Sequence, residues 1–219
     1  MILGPVRRLV LVGAHCDDIA IGAGATVRTV CDANPGLVVH ALVLTGAGTA
    51  REDEERAALA ALCSGADLTV TVAGLPDNRL PGAWAEAKAA VMAARDAVVA
   101  GGEPDLVIAP QPGDAHQDHR LVAELCGQAF RRQPVWGYEI LKYESDLPAV
   151  ATYVPCTRDD ALAKSRLLHE HYPSQAGHPW FDEAAFTGLM RVRGAQCNAA
   201  YAEGFVVAKT TVDIRGDAR

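Results

Sequence analysis

The sequence predicts an α/β protein, a Rossmann-like three-layer sandwich with a mostly parallel sheet and helices on both faces. Three observations predict it. Short apolar runs alternate with Ala-rich, charged segments in a βαβ rhythm. One run, Asp105-Leu106-Val107-Ile108-Ala109-Pro110, lacks polar alternation, which marks a strand buried on both faces. Two clusters of acids and histidines, Ala14-His15-Cys16-Asp17-Asp18 and Asp114-Ala115-His116-Gln117-Asp118-His119, each follow such a run, where open α/β sheets carry their ligand sites.

The elements follow in order. Arg8 to Gly13 is the first strand, a Gly/Ala-rich helix covers residues 19–33, and Leu37 to Leu44 is the second strand. Arg51-Glu52-Asp53-Glu54-Glu55-Arg56 opens a helix to Cys63, with its acids near the positive end of the helix dipole. Asp67 to Val72 is a third strand, Pro76 to Gly82 a turn-rich loop, and Trp84 to Ala100 a helix stopped by Gly101-Gly102. Asp105 to Ala109 is the central strand, reached by helical crossovers. Leu121 to Arg131 reads as a helix, and Val135 to Tyr143 alternates like a strand. Further on, Arg158 to His171 and Asp182 to Ala200 are expected as helices and Gly204 to Lys209 as a closing strand. No repeat, low-complexity tract or linker divides the chain, so residues 1–219 are expected to form one domain.

Composition narrows the function classes. With 50% hydrophobic and 21% charged residues the chain has ordinary globular usage, which argues against disorder. A net charge of -7 leaves no basic field for nucleic acid or anionic lipid, and suits a small uncharged or cationic partner. No run approaches the roughly 18 apolar residues of a membrane-spanning helix. The opening residues lack a signal-peptide pattern, and the six cysteines are scattered without a C-x-x-C pair. The expectation is reduced thiols and a cytoplasmic location.

The first cluster offers an imidazole and two carboxylates within four residues. Zinc accepts such nitrogen and oxygen donors, and a catalytic site keeps one position open for water. His15 and Asp18 are candidate ligands, and Asp17 beside them is a candidate general base. The same aspartates also suit a helix N-cap ahead of Ile19-Ala20-Ile21. Behind them, Gly22-Ala23-Gly24-Ala25-Thr26-Val27 falls short of a dinucleotide fingerprint, because Val27 stands at its third glycine and the acids would repel phosphates. Close helix packing on the sheet is the better use of these glycines. Cys16 is expected to point away from its neighbours and to pack.

In the second cluster His116 and His119 stand at i and i+3, neighbours on one helix face. His119 would complete a His, Asp, His ligand set, leaving His116 to stabilise an oxyanion or protonate a leaving amine. Asp118 could orient one imidazole. For either histidine alone, helix-start chemistry at the surface is the competing reading.

These residues resemble the zinc-dependent de-N-acetylases typified by N-acetylglucosaminyl-phosphatidylinositol deacetylase, the PIG-L or LmbE-like family, marked by P/A-H-P-D-D and H-x-D-H. The chain reads Ala14-His15-Cys16-Asp17-Asp18 and His116-Gln117-Asp118-His119, in that order and context. The resemblance extends through Arg51 to Glu55, Leu75-Pro76-Asp77, His171-Tyr172-Pro173-Ser174-Gln175 and Tyr201-Ala202-Glu203-Gly204-Phe205. It implies His15, Asp18 and His119 as ligands of one zinc, or another divalent ion, Asp17 as general base, His116 as electrophile or acid, and Asp118 tuning His116. Cys16 replaces the usual proline and Ile19 a common glutamate, which suggests a subgroup.

The resemblance further implies removal of an N-acetyl or other acyl group from an N-acetylglucosamine-type small molecule, sugar nucleotide or glycoside. Alternatives are an amidase for a glucosaminyl thiol conjugate, a catalytically inactive sugar-binding or regulatory domain, or a nucleotide-dependent oxidoreductase or transferase. Asp77 and Asp114 could bind sugar hydroxyls or an amine, or be solvated loop acids. Arg51 could reach substrate or pair with Glu55 at i, i+4. Trp136, Trp180 and Phe181 are candidate anchors of a homo-oligomer, or core residues.

Overall fold

The apolar runs of the first half become strands whose side chains alternate between two helix layers. The computed structural model describes residues 4–210. Its elements are β1 (Arg8–Gly13), α1 (Asp18–Ala33), β2 (Val38–Thr45), α2 (Ala50–Leu62), β3 (Asp67–Leu75), α3 (Trp84–Val99), β4 (Leu106–Pro110), α4 (Gln117–Ala129), β5 (Val135–Tyr138), β6 (Thr152–Cys156), α5 (Arg158–His171), α6 (Glu183–Gln196) and β7 (Tyr201–Val207). The strands form one sheet in the order β3-β2-β1-β4-β5-β7-β6. β1 to β5 pair in parallel, and β7 runs antiparallel to both neighbours. This is the α/β architecture expected, with a mostly parallel sheet.

Period-two geometry builds the two cores. Leu9, Leu11, Val39, Val43, Leu106 and Ile108 share one core with Ile19 and Val27 of α1, Leu59 of α2 and Leu168 of α5. Val10, Val12, Leu42, Leu44 and Val107 share the other with Val91 of α3 and Leu125 of α4. Leu11 is fully buried, so truncating it to alanine removes about 2–5 kcal/mol. The α1 glycines serve close packing: a Cβ on Gly22 would lie 2.2 Å from the Tyr138 ring of β5. Tyr138 in turn donates its hydroxyl to the Val12 carbonyl at 3.0 Å.

After β1 the chain builds β2 and β3 on one side, then crosses to β4 on the other. The carboxyl ends of β1 and β4 therefore bracket a topological switch point. Both acid and histidine clusters emerge there.

Beyond β4 the expectations need correcting. The strand expected over Val135 to Tyr143 stops at Tyr138, because its partner β4 ends at Pro110, opposite Tyr138. β6 was not foreseen, being a short edge strand that contains Pro155, a residue unable to donate to a ladder. Pairing with β6 starts β7 at Tyr201, earlier than Gly204. α6 ends at Gln196 and not at Ala200: Asn198 turns left-handed at φ 59, and the Ala199 amide closes on the Gly194 carbonyl at 2.8 Å.

Buried ion pairs brace this last part, and hydrogen bonds from Glu203 tie it to α1. Glu203 of β7 accepts from Lys164 Nζ at 2.6 Å and from the α1 amides of Ala25 and Thr26 at 3.1 and 2.7 Å. Arg193 of α6 forks onto Glu139 at 2.7 and 2.5 Å. Removing one partner of such a pair costs about 3–5 kcal/mol. The six cysteines carry free thiols. Trp136 and Phe181 lie in the core, so neither is a surface anchor. Among the described residues, no helix is long and apolar enough to cross a membrane.

Candidate active site

The turn from β1 into α1 is set by an uncommon backbone. Asp17 adopts φ 108 and ψ -26, a region that costs a non-glycine residue of order 1–3 kcal/mol. The Asp18 carboxylate fills the turn, its Oδ2 accepting the amides of Ala14 and His15 at 2.9 and 2.8 Å. It therefore caps the turn behind it and not the helix ahead. Cys16 faces the other way, its thiol donating to the Thr45 carbonyl.

From β4, His116 becomes the N-cap of α4, with Nδ1 accepting the Asp118 amide at 3.2 Å. The two readings of His116 are thus compatible: it caps the helix and still lines the cleft. With Nδ1 an acceptor, the ring proton sits on Nε2, which meets Asn78 Oδ1 at 2.9 Å. Burial and the neighbouring His119 and His15 hold the His116 pKa below its ordinary value.

Three groups converge between the strand ends. His15 Nδ1 lies 3.2 Å from His119 Nε2 and 3.5 Å from Asp18 Oδ2, and His119 Nε2 lies 3.3 Å from Asp18 Oδ1. Metal–donor bonds of about 2.0–2.1 Å at tetrahedral angles put donor atoms about 3.3 Å apart. The far side of each ring is committed: His119 Nδ1 meets Asp114 Oδ2 at 3.0 Å, and His15 Nε2 meets Asp118 Oδ2 at 3.3 Å and Asp77 Oδ1 at 3.2 Å. If those nitrogens carry the protons, two bare lone pairs and a carboxylate face one point, the donor set of a divalent cation. His15, Asp18 and His119 can hold zinc there. Two other sets also bring donors within 4.8 Å, His15–His116–His119 and His15–Asp77–Asp118; in the first, both His116 nitrogens are already committed, and the second offers a single imidazole.

The excess of carboxylate also shapes the titration. Burial opposes charge on His15, yet Asp18, Asp118 and Asp77 outweigh it and push its pKa up to about 12. His119 rises to about 9 for the same reason, through Asp18 and Asp114. Burial pushes Asp17 up to about 8, with Arg51 opposing and Asp18 and Glu55 adding. Asp18, despite its burial, is held well below the carboxylate range by His119 and His15.

The structure revises three expectations and bears on a fourth. The Asp118 carboxylate touches His15 and the Leu80 amide, not His116, because α4 turns its side chain under the cluster. Asp114 is 1% exposed and is held by His119, the His116 amide and Lys142, so it is no substrate contact. Arg51 does not pair with Glu55: its guanidinium binds the Cys16 carbonyl and Asp17 Oδ2, the latter at 2.9 Å. Asp77 fits the cleft reading, with a half-exposed side chain beside His15.

The cleft over the cluster, of about 170 Å³, is also lined by Asn78, Ile140, Lys142, Gln175 and Trp180. Sequence reasoning missed Lys142 and Glu55 as parts of the site. Tyr172 and Gln175 had a signal, the His171 to Gln175 segment.

Residues 10–130 match the family described as PIG-L, GlcNAc-PI de-N-acetylase. N,N'-diacetylchitobiose deacetylase from Pyrococcus horikoshii shares the fold at 18% identity, over 92% of this chain and 84% of that one, with a TM-score of 0.69. The conserved protein TT1542 from Thermus thermophilus is 24% identical over 98% and 100% of the two chains, TM-score 0.69. GalB, the 4-carboxy-2-hydroxymuconate hydratase from Pseudomonas putida, is 18% identical over 94% and 98%, also at 0.69. No curated protein matches the chain by sequence. One fold thus carries more than one reaction, and function has to be argued from the site. The match over residues 10–130 makes this chain a member of the PIG-L family of GlcNAc-PI de-N-acetylases, and with that family an amide-hydrolysing enzyme.

Proposed function

We propose that the protein is a zinc-dependent de-N-acetylase acting on an N-acylated glucosamine unit, free or within a small glycoside or sugar nucleotide. The observation that carries this is the convergence of His15 Nδ1, His119 Nε2 and Asp18 at donor–donor distances of 3.2 to 3.5 Å, with Asp17 and His116 on the rim of the same cleft. His15, Asp18 and His119 hold the ion. Zinc bound there supplies Lewis acidity, polarising the amide carbonyl and making the attacking water more acidic.

The chain's own groups do the rest. Asp17 is the general base: Arg51 holds one carboxylate oxygen, and burial raises the proton affinity of a carboxylate that would otherwise be too weak a base. After attack, the proton it has taken goes to the departing nitrogen, so the amine leaves neutral. His116 acts as an electrophile. Its Nδ1 is occupied by the Asp118 amide, so the imidazole stays neutral and presents Nε2–H to the oxyanion in place of Asn78. Asp114 and Asp118 orient the two ligand rings. Trp180 offers a face for a sugar ring, and Asp77, Asn78 and Gln175 offer partners for its hydroxyls.

The test is amine release by zinc-loaded protein from N-acetylglucosamine, N,N'-diacetylchitobiose and nucleotide-linked N-acetylglucosamine. Release that a chelator stops and zinc restores supports the reading. Protein that binds zinc and releases amine from none of them overturns it.

A further inference from the structure

We infer that Glu55 and Tyr172 form a buried clamp that sets the backbone of Asp17, which makes both of them positioning residues for the reaction proposed above, on which this inference rests. One peptide group is the target. The Cys16 carbonyl accepts from Arg51 Nη2, and the Asp17 amide of the same peptide donates to Glu55 Oε2 at 2.8 Å. Arg51 and Glu55 stand one turn apart on α2, so they share a helix face and grip both ends of that peptide. A peptide held at its carbonyl and its amide cannot rotate, and its rotation would carry Asp17 out of φ 108.

Tyr172 closes the clamp from the C-cap position that follows α5. Its hydroxyl donates to the same Glu55 Oε2 at 2.8 Å, and both side chains are fully buried. Glu55 Oε1 is buried with no hydrogen-bond partner among the described residues. A carboxylate with one oxygen unpaired is a costly way to fill space next to a core, where an apolar side chain would pack more cheaply. Its use is the acceptor it presents to Asp17. The catalytic carboxylate is thereby aimed by residues that never meet the substrate.

The test compares Glu55→Ala, Glu55→Gln and Tyr172→Phe with the wild type in zinc-loaded protein, by metal content, kcat and KM on N-acetylglucosamine or whichever tested sugar the wild type turns over. Glu55→Ala is expected to bind one zinc with KM within about twofold, but to lose about 30-fold in kcat, part of the 10²–10⁴-fold contribution of a general base. Glu55→Gln keeps an acceptor oxygen and is expected to recover kcat to within about fivefold, and Tyr172→Phe to lose about three- to tenfold, the range of one ordinary hydrogen bond. A crystal structure of Glu55→Ala is expected to show Asp17 outside the positive-φ region. Zinc-loaded Glu55→Ala with wild-type kcat overturns the clamp. Should that variant fail to fold, wild-type kcat in Tyr172→Phe overturns it. If the wild type releases no amine at all, the proposed function fails by itself, and the Asp17 backbone in the variant structures still decides the clamp.

Discussion

Residues 8–129 and residues 135–207 contribute to the cleft in different ways. The first region supplies every group assigned to the chemistry: His15, Asp17, Asp18, His116 and His119, with Asp114 and Asp118 beneath them. The second supplies walls and supports: Lys142 against Asp114, Tyr172 against Glu55, and Gln175 and Trp180 at the rim. The cause is topological. Parallel strands deliver their carboxyl ends to one edge, so side chains at β1 and β4 must converge. The antiparallel strands β6 and β7 impose no such convergence, and their region reaches the cleft through loops and helix ends anchored by Lys164–Glu203 and Arg193–Glu139. Reactive geometry therefore sits where the sheet dictates it, and recognition sits where loop sequence can vary.

Substitutions in the two regions should separate along that line. The largest effect is expected at Asp18→Asn, which removes a charged ligand: zinc content at equal protein should fall well below one per chain and activity should vanish with it. Asp114→Asn breaks the orienting contact to His119 and is expected to weaken zinc about 10–100-fold while added zinc restores turnover; a competitive chelator titration measures it. The smallest effect is expected in the second region. Trp180→Ala should raise KM about three- to tenfold, the usual range for one aromatic contact, with kcat unchanged. A Trp180 variant that lost kcat at unchanged KM would erase the distinction between the two regions.

Much of the first region was legible because its signals are local. His15, Asp17 and Asp18 lie within four residues after a strand, and His116 and His119 stand one helix turn apart. The continuous apolar runs of β1, β2 and β4 likewise mark central strands covered on both faces. What stayed hidden depends on distant partners. Asp114 reads as a solvated loop acid until Lys142, far along the chain, is folded over it. Glu55 reads as the helical partner of Arg51, because only the folded chain brings the Asp17 amide and the Tyr172 hydroxyl to its carboxylate. β6 stayed hidden because Pro155 and an edge position remove the usual strand pattern.

The central claim is that the two clusters form one site, in which ligands and general base are separate residues. Asp17→Asn tests it most directly, by zinc content and amine release measured on the same preparation. The account predicts one zinc per chain, as in the wild type, and turnover reduced by about 10²–10⁴-fold. Turnover at the wild-type rate in the zinc-loaded variant, or loss of the zinc along with the activity, would contradict it.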